Sequence, residues 1–229
     1  MKVVIVGSGG MVGQGVLQTS LAAKDVSEII LLVRNEPENH PDPRVRYIVE
    51  RNLMALNATD PVFDHVDGCF FCAGVSASGL SEEAYRRVTC DMTLHVAEQL
   101  KARSPHMTFI YVSGAGADSS GTSRQMWARV RGEVENKLQA MFEGKVAIFR
   151  PALILPAPGV HSRTPAYRLL YSVIAPLMRV ISAVTGKRFL SIIDLGNAML
   201  NITRYGVSKV IMTKQDILTA AEYAPHEKD

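Results

Sequence analysis

The chain has 229 residues, of which 47% are hydrophobic and 21% charged, with a formal net charge of +3. That length suits one α/β domain with a sizeable core, and the composition excludes disordered and fibrous classes. The small basic excess is scattered without a dense run of Lys or Arg, so nucleic acid is not an expected partner.

Short β-branched runs alternate with stretches of helical period, the pattern that builds parallel sheets from crossover units. Strands are predicted over residues 2–6, 29–33, 46–49, 68–73, 108–112 and 146–149. Helices are predicted over 12–23, 82–103 and 124–142. The second helix has Ser81 to cap it and Glu82 and Glu83 in its first turn, where the helix dipole favours carboxylates. The fold class expected is a Rossmann-type doubly wound parallel sheet in a single domain, residues 1–229. The chain opens directly on a strand, which leaves no room for a signal peptide ahead of it, and a cytoplasmic location is expected.

Two stretches invite other readings. Cys69 and Cys72 have Cys-x-x-Cys spacing, yet they lie in a buried hydrophobic strand and no second ligand pair is present. With Cys90 they read as structural thiols, and no metal is expected. Residues 166–184 are apolar and nearly long enough to span a bilayer, but Arg168, Arg179 and the central Pro176 break them. Two short amphipathic helices are expected there, within a small helical cap over residues 156–190 on the substrate side. Contact with a membrane surface through 166–184 stays open.

The first strand runs straight into Gly7-Ser8-Gly9-Gly10-Met11-Val12-Gly13, which opens a helix. Glycines at this spacing permit a tight turn and a close backbone approach, so a pyrophosphate can rest on free helix amides. The plainer alternative is that the glycines only pack strand against helix. The second strand ends in Arg34 where an acidic residue would bind the ribose of NAD, and arginine instead matches the 2′-phosphate of NADP. A solvated arginine at a strand end is the alternative. A third contact is expected at Cys72-Ala73-Gly74, whose small side chains let a cofactor pass close to the backbone.

These motifs resemble the atypical short-chain dehydrogenase/reductases, in particular the Tat-interacting-protein-like branch of NAD(P)-binding Rossmann proteins. The resemblance continues through Val112-Ser113-Gly114, through Val130-Arg131-Gly132-Glu133-Val134-Glu135, and through Phe149-Arg150-Pro151. It also takes in a helix start at Ile193-Asp194-Leu195. It implies cofactor contacts at Ser113, Arg131 and Pro151 beside those of the glycine loop. It also implies a catalytic serine, with a tyrosine and a lysine four residues apart on one helix face. Here Ser113 takes the serine position, Trp127 the tyrosine position and Arg131 the lysine position. The spacing survives while the chemistry changes, because an indole N–H only donates and arginine is permanently charged. Trp127 is either a core residue beside the pocket or one that caps it. Tyr111 and Tyr85 are candidate substitute acids.

Two functions follow. One is an NADP(H)-dependent oxidoreductase or epimerase-like enzyme with a degenerate Tyr/Lys pair, acting on an unknown small molecule. The other is a non-catalytic NADP(H)-dependent sensor or protein-interaction module.

Overall fold

The computed structural model describes residues 1–35, 41–156 and 189–224. The cap expected over 156–190 and the segment 166–184 lie almost wholly outside the described residues.

Among the described residues, seven parallel strands form one sheet in the order β3-β2-β1-β4-β5-β6-β7. They are β1 (Lys2–Val6), β2 (Glu28–Val33), β3 (Val45–Val49), β4 (Gly68–Phe71), β5 (Thr108–Val112), β6 (Val146–Phe149) and β7 (Ile211–Met212). The helices are α1 (Met11–Ala22), α2 (Glu82–Arg86), α3 (Met92–Arg103), α4 (Met126–Phe142), α5 (Ile192–Tyr205) and α6 (Lys214–Glu222).

Alternation along the strands sorts the core into two layers, because successive side chains point to opposite faces. Val4, Val6, Ile30, Leu32, Phe71, Phe109 and Ile148 join the layer that includes Val130, Val134 and Leu138 of α4. Val3, Ile5, Ile29, Leu31, Phe70, Ile110 and Phe149 join the layer that includes Val16 of α1 and Leu195 of α5. A sheet covered on both faces requires apolar residues at every position, which is why β1 and β4 read as unbroken hydrophobic runs.

Helices α1 and α5 meet through missing side chains. A Cβ built on Gly15 would lie 2.5 Å from Ile192 Cβ, and one on Gly196 would lie 2.0 Å from Thr19 Oγ1. Arg44, from the segment leading into β3, reaches across to the end of α1 and donates to Leu21 O, Ala23 O and Val26 O. Those carbonyls belong to the helix terminus and its continuation, where chain partners run out.

Several boundaries depart from expectation for identifiable reasons. The predicted strand 68–73 stops at Phe71, because Ala73 turns beneath Gly7 although Cys72 N still donates to Val6 O. The predicted helix 82–103 is interrupted by a π turn at Arg87–Asp91, which separates α2 from α3 and buries Thr89 Oγ1 with no hydrogen-bond partner. β7 and α6 were not anticipated.

The strand order reverses direction at β1, with β2 on one side and β4 on the other, and crevices at such switch points open at the carboxyl ends of the strands. Val6 is in register with Leu32 and Phe71, and Phe71 with Tyr111. Gly7, Arg34, Cys72 and Ser113 therefore all leave the sheet along one edge.

Candidate functional site

The glycine loop divides into two kinds of glycine. Gly7 has φ +88°, and a Cβ there would lie 2.6 Å from Ala73 N. At Gly13 a Cβ would lie 2.2 Å from Gly7 O. Both glycines are demanded by packing. Gly10 is not, because its φ of −80° suits any residue and a Cβ would meet nothing nearer than Gly7 O at 3.4 Å. Gly10 is also the N-cap of α1, with no side chain closing the helix end and no acidic residue in the first turn. The amides of the first turn, Met11, Val12 and Gly13, have no intrahelical acceptors, and the helix dipole makes this end electropositive. Ser8 is buried, and Gly9 O accepts a bond from Gln14 Nε2. An open approach to an uncapped helix end fits the pyrophosphate of a dinucleotide.

Arg34 stands exposed just past β2. Cys72 and Ala73 border the glycine loop from β4. Burial pushes the Cys72 thiol up to about 12 and raises those of Cys69 and Cys90 as well. All three are free thiols held in the protonated form, which suits packing better than nucleophilic chemistry. No cluster of metal-ligating side chains occurs among the described residues.

Trp127, Arg131 and Glu135 follow one another at four-residue spacing on α4, so they share a face. Trp127 is half-buried; its ring reaches to 3.2 Å from a Cβ built on Gly116, and its Nε1 donates to Gln125 Oε1. The Arg131 guanidinium lies between the loops that follow β4 and β5. A Cβ on Gly74 would sit 3.9 Å from one of its terminal nitrogens, and a Cβ on Gly114 would sit 3.9 Å from the other. Its Nε donates to Tyr85 Oη at 3.0 Å, and one terminal nitrogen donates to Val112 O at 3.4 Å.

The substitute acids are enclosed. Tyr85 is 1% and Tyr111 2% exposed, and burial drives the Tyr111 phenol upward. Ser113 is also buried, and its hydroxyl donates to Glu135 Oε1 at 2.5 Å.

Glu135 was not anticipated from the sequence. It is fully buried, pairs with Arg150, and accepts a further bond from Ser119 Oγ at 3.3 Å. A hydroxyl has one proton to give, so the single proton of Ser113 is committed to Glu135 Oε1. The four-residue step from Arg131 to Glu135 was the available signal, since it continues the Trp127–Arg131 spacing. Gly132 locks the same region, because a Cβ there would lie 1.8 Å from Asp118 O. Pro151 O accepts from Ala115 N at 2.9 Å and holds the loop that follows Ser113.

Comparisons with known proteins agree with the fold. The model of the NAD dependent epimerase/dehydratase family matches residues 3–125, which is 123 of the 229 residues. Protein HTATIP2 of Rattus norvegicus is 28% identical over 158 residues, covering 67% of this chain and 63% of that protein. The chain thus spans less than two thirds of that relative. Protein FMP52, mitochondrial, of Eremothecium gossypii is 28% identical over 166 residues, covering 71% of this chain and 70% of that protein. Among solved structures, Gre2 from Candida albicans in complex with NADPH superposes with a TM-score of 0.65 at 11% identity, covering 93% of this chain and 78% of that one. UDP-glucuronic acid 4-epimerase from Bacillus cereus in complex with NAD gives 0.63 at 13% identity, with the same coverage. At such identities the structural likeness speaks for the fold. The glycine-bearing first crossover, the parallel sheet and the family match together place this chain in the NAD dependent epimerase/dehydratase family, as an atypical short-chain dehydrogenase/reductase.

Proposed function

We propose that this protein binds NADP(H) across the carboxyl ends of β1, β2, β4 and β5. It would serve an oxidoreductase or epimerase-like reaction in which the usual tyrosine and lysine are replaced by Trp127 and Arg131. The observation that carries this reading is Gly10: packing does not require a glycine there, whereas close approach of a pyrophosphate to the α1 amides does. Residues 7–13 would hold the pyrophosphate, Arg34 the 2′-phosphate, and Cys72, Ala73 and Gly74 the near side of the nicotinamide half. Ser113, Arg131 and Pro151 would border its far side.

Bound there, the nicotinamide would supply or accept a hydride. The chain's own residues would orient the substrate and exclude water, with Trp127 as a cap against the loop at Gly116 and Arg131 as the fixed charge. Three free thiols, two of them buried, suit a reducing cytoplasm. No helix among the described residues is long and apolar enough to cross a membrane.

Calorimetric titration tests the cofactor assignment. NADPH is expected to bind about tenfold to a hundredfold more tightly than NADH, since one charge-assisted phosphate contact contributes roughly 1.5–3 kcal/mol. Arg34→Ala should erase the difference, and equal affinities in the wild type would refute the assignment.

A specific observation favours a second reading, that of a non-catalytic NADP(H) sensor or interaction module. Among the described residues the two candidate phenols, Tyr85 and Tyr111, are buried, and the Ser113 proton goes to Glu135. A carbonyl panel followed by NADPH absorbance separates the two, because robust wild-type turnover excludes the sensor.

A further inference from the structure

Burying a guanidinium costs free energy unless an anion faces it, and this chain obeys that rule with one exception among its described residues. Seven arginines there are half-buried: Arg44, Arg86, Arg103, Arg129, Arg131, Arg150 and Arg204. Six pair with carboxylates, namely Asp42, Glu133, Asp64, Glu82, Glu135 and Asp25 in that order. Arg131 alone has no carboxylate at ion-pair distance among the described residues. Glu135, one turn along α4, is already matched by Arg150 and engaged by Ser113 and Ser119. The sequence of residues 157–188 contains no Asp or Glu.

The hydrogen bonds of Arg131 narrow what is missing. A guanidinium has five N–H donors. One goes to Tyr85 and one to Val112 O, both neutral acceptors, which leaves three on the two terminal nitrogens. Those nitrogens face Gly74 and Gly114, two positions without a side chain, each 3.9 Å from a Cβ built there. Tyr85, anchored in the core, holds the Nε side and turns the fork toward those two positions. Hydroxyl groups of a ribose would satisfy donors there without matching the charge, whereas a carboxylate does both with a planar, two-point fit.

We propose that Arg131 is an anion-recognition residue that binds the carboxylate of a small organic acid, which makes the substrate or regulatory ligand of this site an acid. The proposal deepens the NADP(H) reading, because it assigns the second ligand of the same crevice. Tyr85 is its positioning residue.

The test uses saturation-transfer NMR on the whole protein, both cofactor-free and saturated with NADP+, at constant ionic strength. The observed probes are acetate and its neutral isostere acetamide, with inorganic phosphate, which has no non-exchanging proton, added as a competitor of acetate. Acetate should receive saturation in both states while acetamide does not, and Arg131→Met should weaken acetate binding about tenfold or more. Tyr85→Phe keeps the charge but loosens the fork, and should weaken acetate several-fold; it decides the matter should Arg131→Met fail to fold. Equal responses from acetate and acetamide would overturn the proposal, as would acetate binding that ignores both substitutions. Acetate that binds only without cofactor, is displaced there by phosphate and is expelled by NADP+ would assign the cation to the cofactor's own phosphates and also overturn it. If NADP+ itself does not bind, the cofactor reading fails, while acetate binding to the cofactor-free protein still judges Arg131.

Discussion

Replacing Gly10 with valine separates a glycine kept for folding from one kept for a ligand. The backbone at Gly10 is extended, and a Cβ there makes only ordinary contact with Gly7 O at 3.4 Å, so the fold should accept the side chain. The N-cap position prefers glycine to valine, which costs about 1 kcal/mol and lowers the melting temperature by roughly 2–4 °C at this chain length. Binding should suffer far more. A branched side chain in front of the α1 amides would displace a pyrophosphate from at least two charge-assisted hydrogen bonds, each contributing roughly 1.5–3 kcal/mol. The sum of about 3–6 kcal/mol corresponds to a loss of about a hundredfold to ten-thousandfold in NADPH affinity. Gly13→Ala is the control, since its Cβ would strike Gly7 O at 2.2 Å and Ser8 Cα at 2.7 Å. That variant should lose stability by about 1–3 kcal/mol through overpacking. Calorimetric titration with NADPH, paired with thermal melts, reads both effects. A folded Gly10→Val protein with wild-type affinity would show that the loop serves packing alone.

Three further outcomes are expected. Trp127→Tyr combined with Arg131→Lys restores a phenol beside an ammonium, and should raise carbonyl reduction by NADPH up to about a hundredfold to ten-thousandfold over a weak wild type; an active wild type that Tyr111→Phe silences would contradict this. Glu135→Ala strips the half-buried Arg150 of its partner and should cost up to about 3–5 kcal/mol in denaturant melts, most of which returns in Glu135→Leu with Arg150→Met, where no charge is left unmatched. Hydrogen bonds from the Ser120 side chain and the Ser123 amide hold Asp118 down to about 2 from an ordinary 3.8. A carboxyl lowered by folding stabilises the protein above pH ~4 and ceases to do so as the pH falls toward 2. Acid titration of Asp118→Asn should therefore be flatter over that window, and an unchanged profile would disprove the assignment.

Much of the fold was legible because its signals are local. An unbroken apolar run followed by glycines at residues 7, 10 and 13 can hardly be anything but a buried parallel strand turning into a helix, and the alternation of runs set the first six strands within two residues. Signals that depend on a distant partner were not legible. Ile211–Met212 is a strand only because β6 lies beside it, since two apolar residues have no periodicity of their own. The π turn at Arg87–Asp91 leaves no mark in a helical pattern that spans it.

The site divides in the same way. The residue types at 7–13, 34, 113, 127 and 131 were readable from the sequence, and with them the expectation of a nucleotide and of altered proton chemistry. Tertiary structure alone decided how those residues are engaged. Ser113 gives its proton to a carboxylate 22 residues away, and Arg150, just past the end of β6, takes the charge of Glu135. Those two pairings leave Arg131 with a cation that nothing in the described chain matches. The sequence determined which charges exist, because that is a property of each side chain; which of them remain unmatched was decided only when the sheet edge and α4 closed around them, because matching depends on distance.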